Sequence, residues 1–231
     1  CLGAAAGICA IARKQGKKAQ IVMDLENNAV HPMLKKLQEL PEYAGMFMSG
    51  TEAFLRVQPD TLLVVVDTNR PGSVESEQLL DACNRVAVID HHRRGSSYIE
   101  KTALNHHEPY ASSASELVTE LLQYLMDPKD LLRGEAEALL AGIVLDTKNF
   151  TNRTGGRTFE AAAYLRSRGA NTVDSKKLFS NDMEIFRQRN MIIDSADEYK
   201  SCAISVSPDN LQNVRLVTSQ AADEMLNIEG V

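Results

Sequence analysis

Two aspartates stand directly after apolar segments of the chain. Asp67 follows the run 62–66 (LLVVV), and Asp90 follows the run 86–89 (VAVI). Such runs are typical of strands that are buried on both faces of a parallel sheet. The carboxyl ends of these strands form the edge at which ligands bind in open α/β folds. A single aspartate after a strand more often begins a turn, as we expect for Asp24, but two at one edge indicate a candidate site.

A third carboxylate falls on the apolar face of a predicted helix. Helical spacing places Asp146 on the same face as Leu139 and Ile143, at or near the carboxyl end of the helix. Burial and the negative end of the helix dipole both oppose a carboxylate there. Asp146 therefore needs a cation close by, which Lys148, Arg153 or a metal ion could supply.

Two imidazoles follow Asp90 at the same edge. Because consecutive side chains point in different directions, one of His91 and His92 can bind a metal while the other faces a substrate. The second pair, residues 106–107, has no apolar run or aspartate before it, and we predict a loop there. Carboxylates with one imidazole suit Mn²⁺ or Mg²⁺ better than a structural zinc. Several carboxylates converging on one edge suit a two-metal phosphoesterase.

The elements that must position these residues alternate between strand and helix. This alternation predicts an α/β fold with a parallel central sheet and flanking helices. The predicted strands are residues 19–23, 62–66 and 86–89. The predicted helices are residues 3–14, 32–40, 51–57, 74–84 and 157–168, one that opens at a capping box at 113–116, and one that carries the apolar positions 136–144.

Three segments are predicted along the chain. Residues 1–170 form the first domain, and residues 171–199 are polar and are predicted to be a helical connector. Residues 200–231 begin a second α/β domain, with an alternating strand at 202–206 and a helix from Thr218 to Gly230. Because the chain starts at Cys1 inside a predicted helix, we expect it to be a piece of a longer protein.

Composition narrows the class of protein. The 231 residues carry 25 Lys and Arg against 31 Asp and Glu, a net charge of −6, which argues against a binder of long nucleic acid. The four cysteines include no Cys-x-x-Cys pair, which argues against a zinc ribbon and a disulfide framework and favours a reducing, cytoplasmic setting. The most apolar stretch, residues 1–12, is too short for a membrane span.

Several segments together resemble one known family. The segments VVVDTN at 64–69, DHH at 90–92 and GIVLDTKNF at 142–150 resemble the DHH phosphoesterases. YASSASEL at 110–117 and RTGGRTFE at 153–160 are similar to the GdpP-type cyclic-di-AMP phosphodiesterases. The resemblance covers residues 1–170 closely, and residues 200–231 resemble the opening of the family's DHH-associated substrate domain.

The resemblance implies a role for each site residue. Asp67 would bridge two Mn²⁺ ions, with Mg²⁺ as the alternative metal, and His91 and Asp146 would complete the second site. Asp90 would orient a histidine, and His92 would face the phosphate. Substrate-binding roles are expected for three further residues, of which the arginines could instead form surface salt bridges: Asn149, Arg153 and Arg157.

The leading hypothesis is a Mn²⁺-dependent phosphodiesterase that opens cyclic di-AMP to linear pApA. The family's first motif, His-x-x-x-Asp-x-Asp, would end just before Cys1, and its Gly-rich motif would lie beyond Val231, so we expect this chain alone to be inactive. The alternatives are a short-oligonucleotide or single-strand exonuclease, a family II pyrophosphatase and a non-catalytic nucleotide-sensing module. We expect a cyclic dinucleotide and a second copy of the chain as partners, and a location in the cytoplasm or, with an upstream anchor, at the cytoplasmic face of a membrane.

Overall fold

A computed structural model describes residues 2–25, 31–177, 183–208, 211 and 213–231 of the chain. The contacts divide the chain into two compact units, Cys1–Phe179 and Ser180–Val231. The division falls inside the segment 171–199 that was expected to be a connector, and residues 178–182 of that segment lie outside the described residues.

The first unit alternates helices and strands. Its α-helices are α1 (Leu2–Lys14), α2 (His31–Gln38), α3 (Gly50–Phe54), α4 (Glu77–Ala82), α5 (Ala114–Leu125), α6 (Arg133–Asp146), α7 (Gly156–Ser167) and α8 (Thr172–Lys177). Its strands are β1 (Ile21–Val22), β2 (Phe47–Met48), β3 (Leu62–Val66), β4 (Arg85–Asp90) and β5 (Leu104–His107). Each predicted strand and helix of this unit has a counterpart here, mostly with shorter bounds.

All strand pairs of the first unit are parallel. The strand β1 pairs with β2, and a three-stranded sheet has the order β3-β4-β5. Val66 pairs with Ile89 in the register of β3 and β4, so the residues that follow these strands emerge at one edge. The predicted α/β class with a parallel sheet and flanking helices is confirmed.

The second histidine pair was predicted to lie in a loop, but it lies in a strand. His106 and His107 are the last residues of β5, and His107 pairs with Asp90 in the parallel register. The prediction was wrong because β5 is a polar, partly exposed strand at the edge of the sheet, with Leu104 54% exposed. Backbone pairing with β4 forms such a strand without the apolar run that marks a central one.

The core lies around α6, which is buried along most of its length. Leu139, Leu140 and Ile143 have no exposed surface, and burial of each such side chain contributes about 1.5–3 kcal/mol. The helix α1 packs so closely on α6 that a Cβ atom at Gly3 would collide with the carbonyl of Ala138. This packing fixes the helix that ends at Asp146.

An ion pair with a buried carboxylate joins α1 to α6. Arg13 donates to the fully buried Glu135 carboxylate from Nη1 at 2.6 Å and from Nη2 at 2.9 Å, and the Tyr43 hydroxyl donates to Oε1 at 2.7 Å. Removal of one partner of such a pair leaves a buried charge uncompensated.

We expect Arg13→Ala to lower the free energy of unfolding by about 3 kcal/mol, measured by urea denaturation. The neighbouring Lys14 is a matched control, because it forms an exposed pair with Asp130 at 2.5 Å. Lys14→Ala should change stability little, since exposed pairs are screened by water. Equal losses in the two variants would contradict the assignment.

The second unit contains helices and a hairpin. Its elements are α9 (Met183–Asp194), β6 (Asp197–Tyr199), β7 (Cys202–Ile204) and α10 (Val214–Met225). The expectation of helix up to residue 199 does not hold at 197–199, because β6 pairs antiparallel with β7 through a turn at Lys200, whose φ is 58°. Within the described residues, no helix combines the length and the apolar character that crossing a membrane requires.

Candidate metal centre

Asp67 stands at the carboxyl end of β3 in a strained backbone conformation. Its φ is 67°, in the left-handed region that costs a non-glycine residue roughly 1–2 kcal/mol. Its amide donates to the carbonyl of Ile89 at 3.0 Å, which continues the pairing with β4 past the end of β3. Strain of this kind persists where the surrounding structure holds it, often at functional sites.

His91 lies between two carboxylates. Its Nε2 is 3.4 Å from Asp67 Oδ1 and 3.7 Å from Asp146 Oδ2, and its side chain is only 5% exposed. On the other side of the ring, Nδ1 lies 3.3 Å from the carbonyl oxygen of Ala111. A carbonyl only accepts, so Nδ1 carries a hydrogen and Nε2 is the nitrogen that can hold a metal.

Asp146 is the last residue of α6, as its spacing predicted. Burial, and next the negative charge of Asp67, raise the pKa of the Asp146 carboxyl. Burial also raises the pKa of Asp67, while the His91 imidazole, 3.4 Å away, lowers it. Burial lowers the pKa of His91, yet the neighbouring Asp67 and Asp146 carboxylates raise it overall.

The donor set fits a divalent cation. Two carboxylates that repel each other share one oriented imidazole nitrogen, and a cation would relieve the repulsion that raises the pKa of Asp146. Asp67, His91 and His92 each offer one ligand atom within 4.8 Å of the others. Two carboxylates, Asp67 and Asp146, with the single imidazole of His91 suit Mn²⁺ or Mg²⁺.

Asp90 holds the second histidine. The Asp90 carboxylate is fully buried, and its Oδ1 accepts from His92 Nδ1 at 2.7 Å, while its Oδ2 accepts from Asn69 Nδ2. The His92 side chain is 53% exposed. The predicted neighbourhood of Asp90 and a histidine is therefore present, with the His92 Nε2 on the side of the ring away from Asp90.

The segment after Asp146 forms an unusual turn. Lys148, Asn149 and Phe150 have φ values of 46°, 59° and 63°, three successive left-handed residues. The buried Thr147 stabilises the turn, because its Oγ1 donates to Ile143 O at 2.6 Å and accepts from the Phe150 amide at 3.0 Å. The turn anchors the chain directly beyond the Asp146 carboxylate.

The three expected substrate-binding residues take different positions. Asn149 and Arg153 are exposed, in and just after the left-handed turn, and Arg153 has a φ of 48°. Arg157, near the start of α7, donates to Glu120 and Glu108 at 2.6 Å each. Its hydrogen bonds with Glu120 and then Glu108 raise the pKa of the guanidinium. In this structure Arg157 forms salt bridges, which was the alternative expectation for the arginines. A contact between Arg157 and phosphate stays a prediction.

Sequence reasoning missed two residues of this centre. Asn69 is 4% exposed and reaches the Asp90 carboxylate, although it stands in the segment that drew attention to Asp67. His107 Nε2 lies 2.5 Å from the carbonyl oxygen of His92. Asn69 lies two residues after Asp67 in the sequence, but no rule of turn chemistry singles out a residue at that spacing. His107 had no signal, because it depends on the pairing of β5 with β4.

Comparison with known proteins identifies the family. The family profile described as DHH family, N-terminal domain, matches residues 1–143. The chain belongs to the DHH family. It is 38% identical over 233 residues to the cyclic-di-AMP phosphodiesterase PdeA of Listeria monocytogenes, and 42% identical over 234 residues to the cyclic-di-AMP phosphodiesterase GdpP of Geobacillus thermodenitrificans. These alignments cover the whole of this chain. They cover only 36% and 35%, respectively, of the lengths of the two relatives.

Solved structures place this DHH-family chain in a known fold. An exopolyphosphatase-related protein from Bacteroides fragilis superposes with a TM-score of 0.80 at 18% identity, over 99% of this chain and 69% of that one. A putative family II inorganic pyrophosphatase from Methanococcus jannaschii gives a TM-score of 0.56 at 18% identity, over 85% of this chain and 63% of that one. At such identities the likeness concerns the fold alone.

Proposed function

We propose that this chain is the phosphoesterase part of a Mn²⁺-dependent phosphodiesterase that hydrolyses cyclic di-AMP to linear pApA. The observation that carries the proposal is the position of His91 Nε2, 3.4 Å from the Asp67 carboxylate and 3.7 Å from that of Asp146. The printed names of relatives that are 38–42% identical support the substrate class. The chain spans about a third of their length, so substrate and product are part of the proposal.

Asp67, His91 and Asp146 would hold the metal. By resemblance to the family, Asp67 would contribute to both sites of a two-metal centre, and His91 and Asp146 would complete the second of them. Bound divalent ions supply positive charge that lowers the pKa of water and stabilises the charge that develops on phosphoryl oxygens. The Ala111 carbonyl keeps the hydrogen on His91 Nδ1, so Nε2 remains the ligating atom.

His92 would contact the phosphate. As an imidazolium, with a hydrogen on each nitrogen, His92 would donate through Nδ1 to Asp90, which fixes the tilt of the ring, and through Nε2 to a phosphoryl oxygen. In the reaction, a water oxygen forms a bond to phosphorus opposite the 3′ oxygen. The bond between phosphorus and the 3′ oxygen breaks. The products are a 5′-phosphate and a 3′-hydroxyl, as in pApA. Asn149, Arg153 and Arg157 are proposed to bind substrate.

The proposal includes a domain organisation. Residues 1–170 would form the DHH domain, 171–199 a connector and 200–231 the start of a DHH-associated domain. We also propose that the protein is located in the cytoplasm and assembles as a homodimer.

Product analysis tests the proposed function. The full-length protein is incubated with Mn²⁺ and one substrate in each reaction: cyclic di-AMP, pApA, pyrophosphate or a single-stranded oligonucleotide. We expect conversion of cyclic di-AMP to pApA, lost on chelation of the metal and in the Asp67→Asn variant. Turnover of pApA or the oligonucleotide alone would favour the exonuclease, and turnover of pyrophosphate alone the pyrophosphatase. Tight nucleotide binding without turnover would favour the sensing module.

A further inference from the structure

Two strands end together beside the proposed phosphate contact. Asp90, the last residue of β4, pairs with His107, the last residue of β5. Beyond this pair, His107 Nε2 lies 2.5 Å from the carbonyl oxygen of His92. Because a carbonyl oxygen accepts, His107 carries the hydrogen on Nε2 and donates it to the backbone of His92.

The same carbonyl is approached by a second donor. Asn69 Nδ2 lies 3.3 Å from His92 O, and the same amide group donates to the Asp90 carboxylate. Asn69 comes from the segment after β3, whereas His107 ends β5, so the His92 carbonyl is held from both neighbouring strands of the sheet. With Asp90 on Nδ1, both the ring and the backbone of His92 are fixed.

His92 needs such support more than His91 does. The His91 side chain is 5% exposed and enclosed by the protein, but the His92 side chain is 53% exposed, in the segment that follows β4. An exposed imidazole would otherwise sample several rotamers. A group that contacts the reacting phosphate acts best when its geometry is set before substrate binds.

The end of β5 is itself anchored. The amide of Glu108 donates to the carbonyl of Asp90 at 3.0 Å. The Glu108 carboxylate accepts from Arg157 at 2.6 Å, and Arg157 binds Glu120 of α5 through both Nε and Nη2. This arrangement ties the residue after His107 to α5 and α7.

We propose that His107 is a positioning residue that acts through His92. It holds the carbonyl of His92 so that the Nε2 of His92 meets the phosphate in a fixed orientation. This inference rests on the proposed function, because it assigns a phosphate contact to His92. It goes beyond that function by giving a task to a residue outside the metal ligands.

Kinetics of variants test the proposal in the protein as it is encoded. Three single variants are compared with the wild type in hydrolysis of cyclic di-AMP: His107→Ala, His107→Gln, and His106→Ala as the matched control from the opposite face of β5. We expect His107→Ala to lower kcat by roughly tenfold, with KM within about twofold, as for residues that orient an active group. Gln places an N–H near the position of Nε2 and should restore most of the rate, and His106→Ala should have little effect.

A double-mutant cycle separates positioning from a structural role. If His107 acts through His92, the loss caused by His107→Ala should shrink to less than about twofold in a His92→Ala background. The melting temperature and the Mn²⁺ affinity measured by calorimetry should stay near those of the wild type. An equal loss in both backgrounds, or a fall in Mn²⁺ affinity that parallels the fall in kcat, would overturn the proposal.

A second readout does not depend on turnover. Long-range ¹H–¹⁵N correlation spectra report the imidazole nitrogens of His92 in the metal-free protein. We expect the His92 signals to shift or broaden in His107→Ala and to return towards the wild-type positions in His107→Gln. Unchanged His92 signals in His107→Ala would overturn the positioning role. If the wild type hydrolyses no phosphodiester, the proposed function fails, while these spectra still decide whether His107 orients His92.

Discussion

Asp67→Asn is expected to abolish metal-dependent hydrolysis and to weaken Mn²⁺ binding by more than about 100-fold. Loss of a residue that only supports a metal ligand costs roughly 10–100-fold, and Asp67 is proposed as a ligand itself. Asparagine is the appropriate replacement because the φ of Asp67 is 67°, and asparagine tolerates the left-handed region better than alanine does. Calorimetric titration with Mn²⁺ and product chromatography measure the two effects.

The same substitution should also destabilise the metal-free protein. Burial raises the pKa of Asp67, but the His91 imidazole beside it lowers that pKa, so the contact with His91 favours the charged carboxylate. A lowered carboxyl pKa stabilises the folded state above the usual pKa, and this stabilisation is lost as the pH falls below the usual value of 3.8. We therefore expect Asp67→Asn to lose stability on the order of 1 kcal/mol at neutral pH.

An exposed aspartate supplies the control for Asp67. Asp81 lies in α4 and is exposed, so Asp81→Asn should change neither Mn²⁺ affinity nor stability measurably. Retention of wild-type Mn²⁺ affinity in Asp67→Asn would contradict the assignment of Asp67 as a ligand.

Asp146→Asn is expected to weaken Mn²⁺ binding strongly but to leave the metal-free fold equally or more stable. Burial, and next the charge of Asp67, raise the pKa of Asp146, so its carboxylate is disfavoured in the folded state. Removal of that charge relieves the repulsion with Asp67. The two proposed ligands of one site should thus change metal-free stability in opposite directions, although both variants lose metal affinity.

The stability difference at Asp146 should depend on pH. For a carboxyl whose folded pKa is raised, the destabilisation is absent below the usual pKa of 3.8 and grows as the pH rises through the folded value. The free energies of unfolding of wild type and Asp146→Asn, from urea titrations without metal, should therefore converge near pH 4 and diverge towards pH 7. A clear loss of metal-free stability in Asp146→Asn at pH 7 would instead make Asp146 a structural ion-pair partner of His91.

The core of the candidate site could be predicted because its residues conflict with the local pattern. Asp67 and Asp90 stand directly after apolar runs, and Asp146 occupies the apolar face of α6. Each conflict is visible within a few residues, since burial follows from the period of apolar positions. Parallel strands end at a shared edge, which is why Asp67 and His91 could be expected to meet before any coordinates were known.

The remaining features depend on contacts between residues that are distant in sequence. Asn69 and His107 are 23 and 15 positions from His92, and they reach its carbonyl only because β3, β4 and β5 pair in one particular register. The guanidinium of Arg157 lies on Glu108 and Glu120, 49 and 37 positions away, through the packing around α5 and α7.

The sequence by itself thus determined the α/β class, the edge of the sheet and the three carboxylates, since charge within an apolar pattern is a local property. Only the tertiary structure decided the left-handed backbone of Asp67, the strand at His107 and the double support of the His92 carbonyl. Strand register and long-range hydrogen bonds arise from the packing of whole elements, which no short segment of the chain encodes alone.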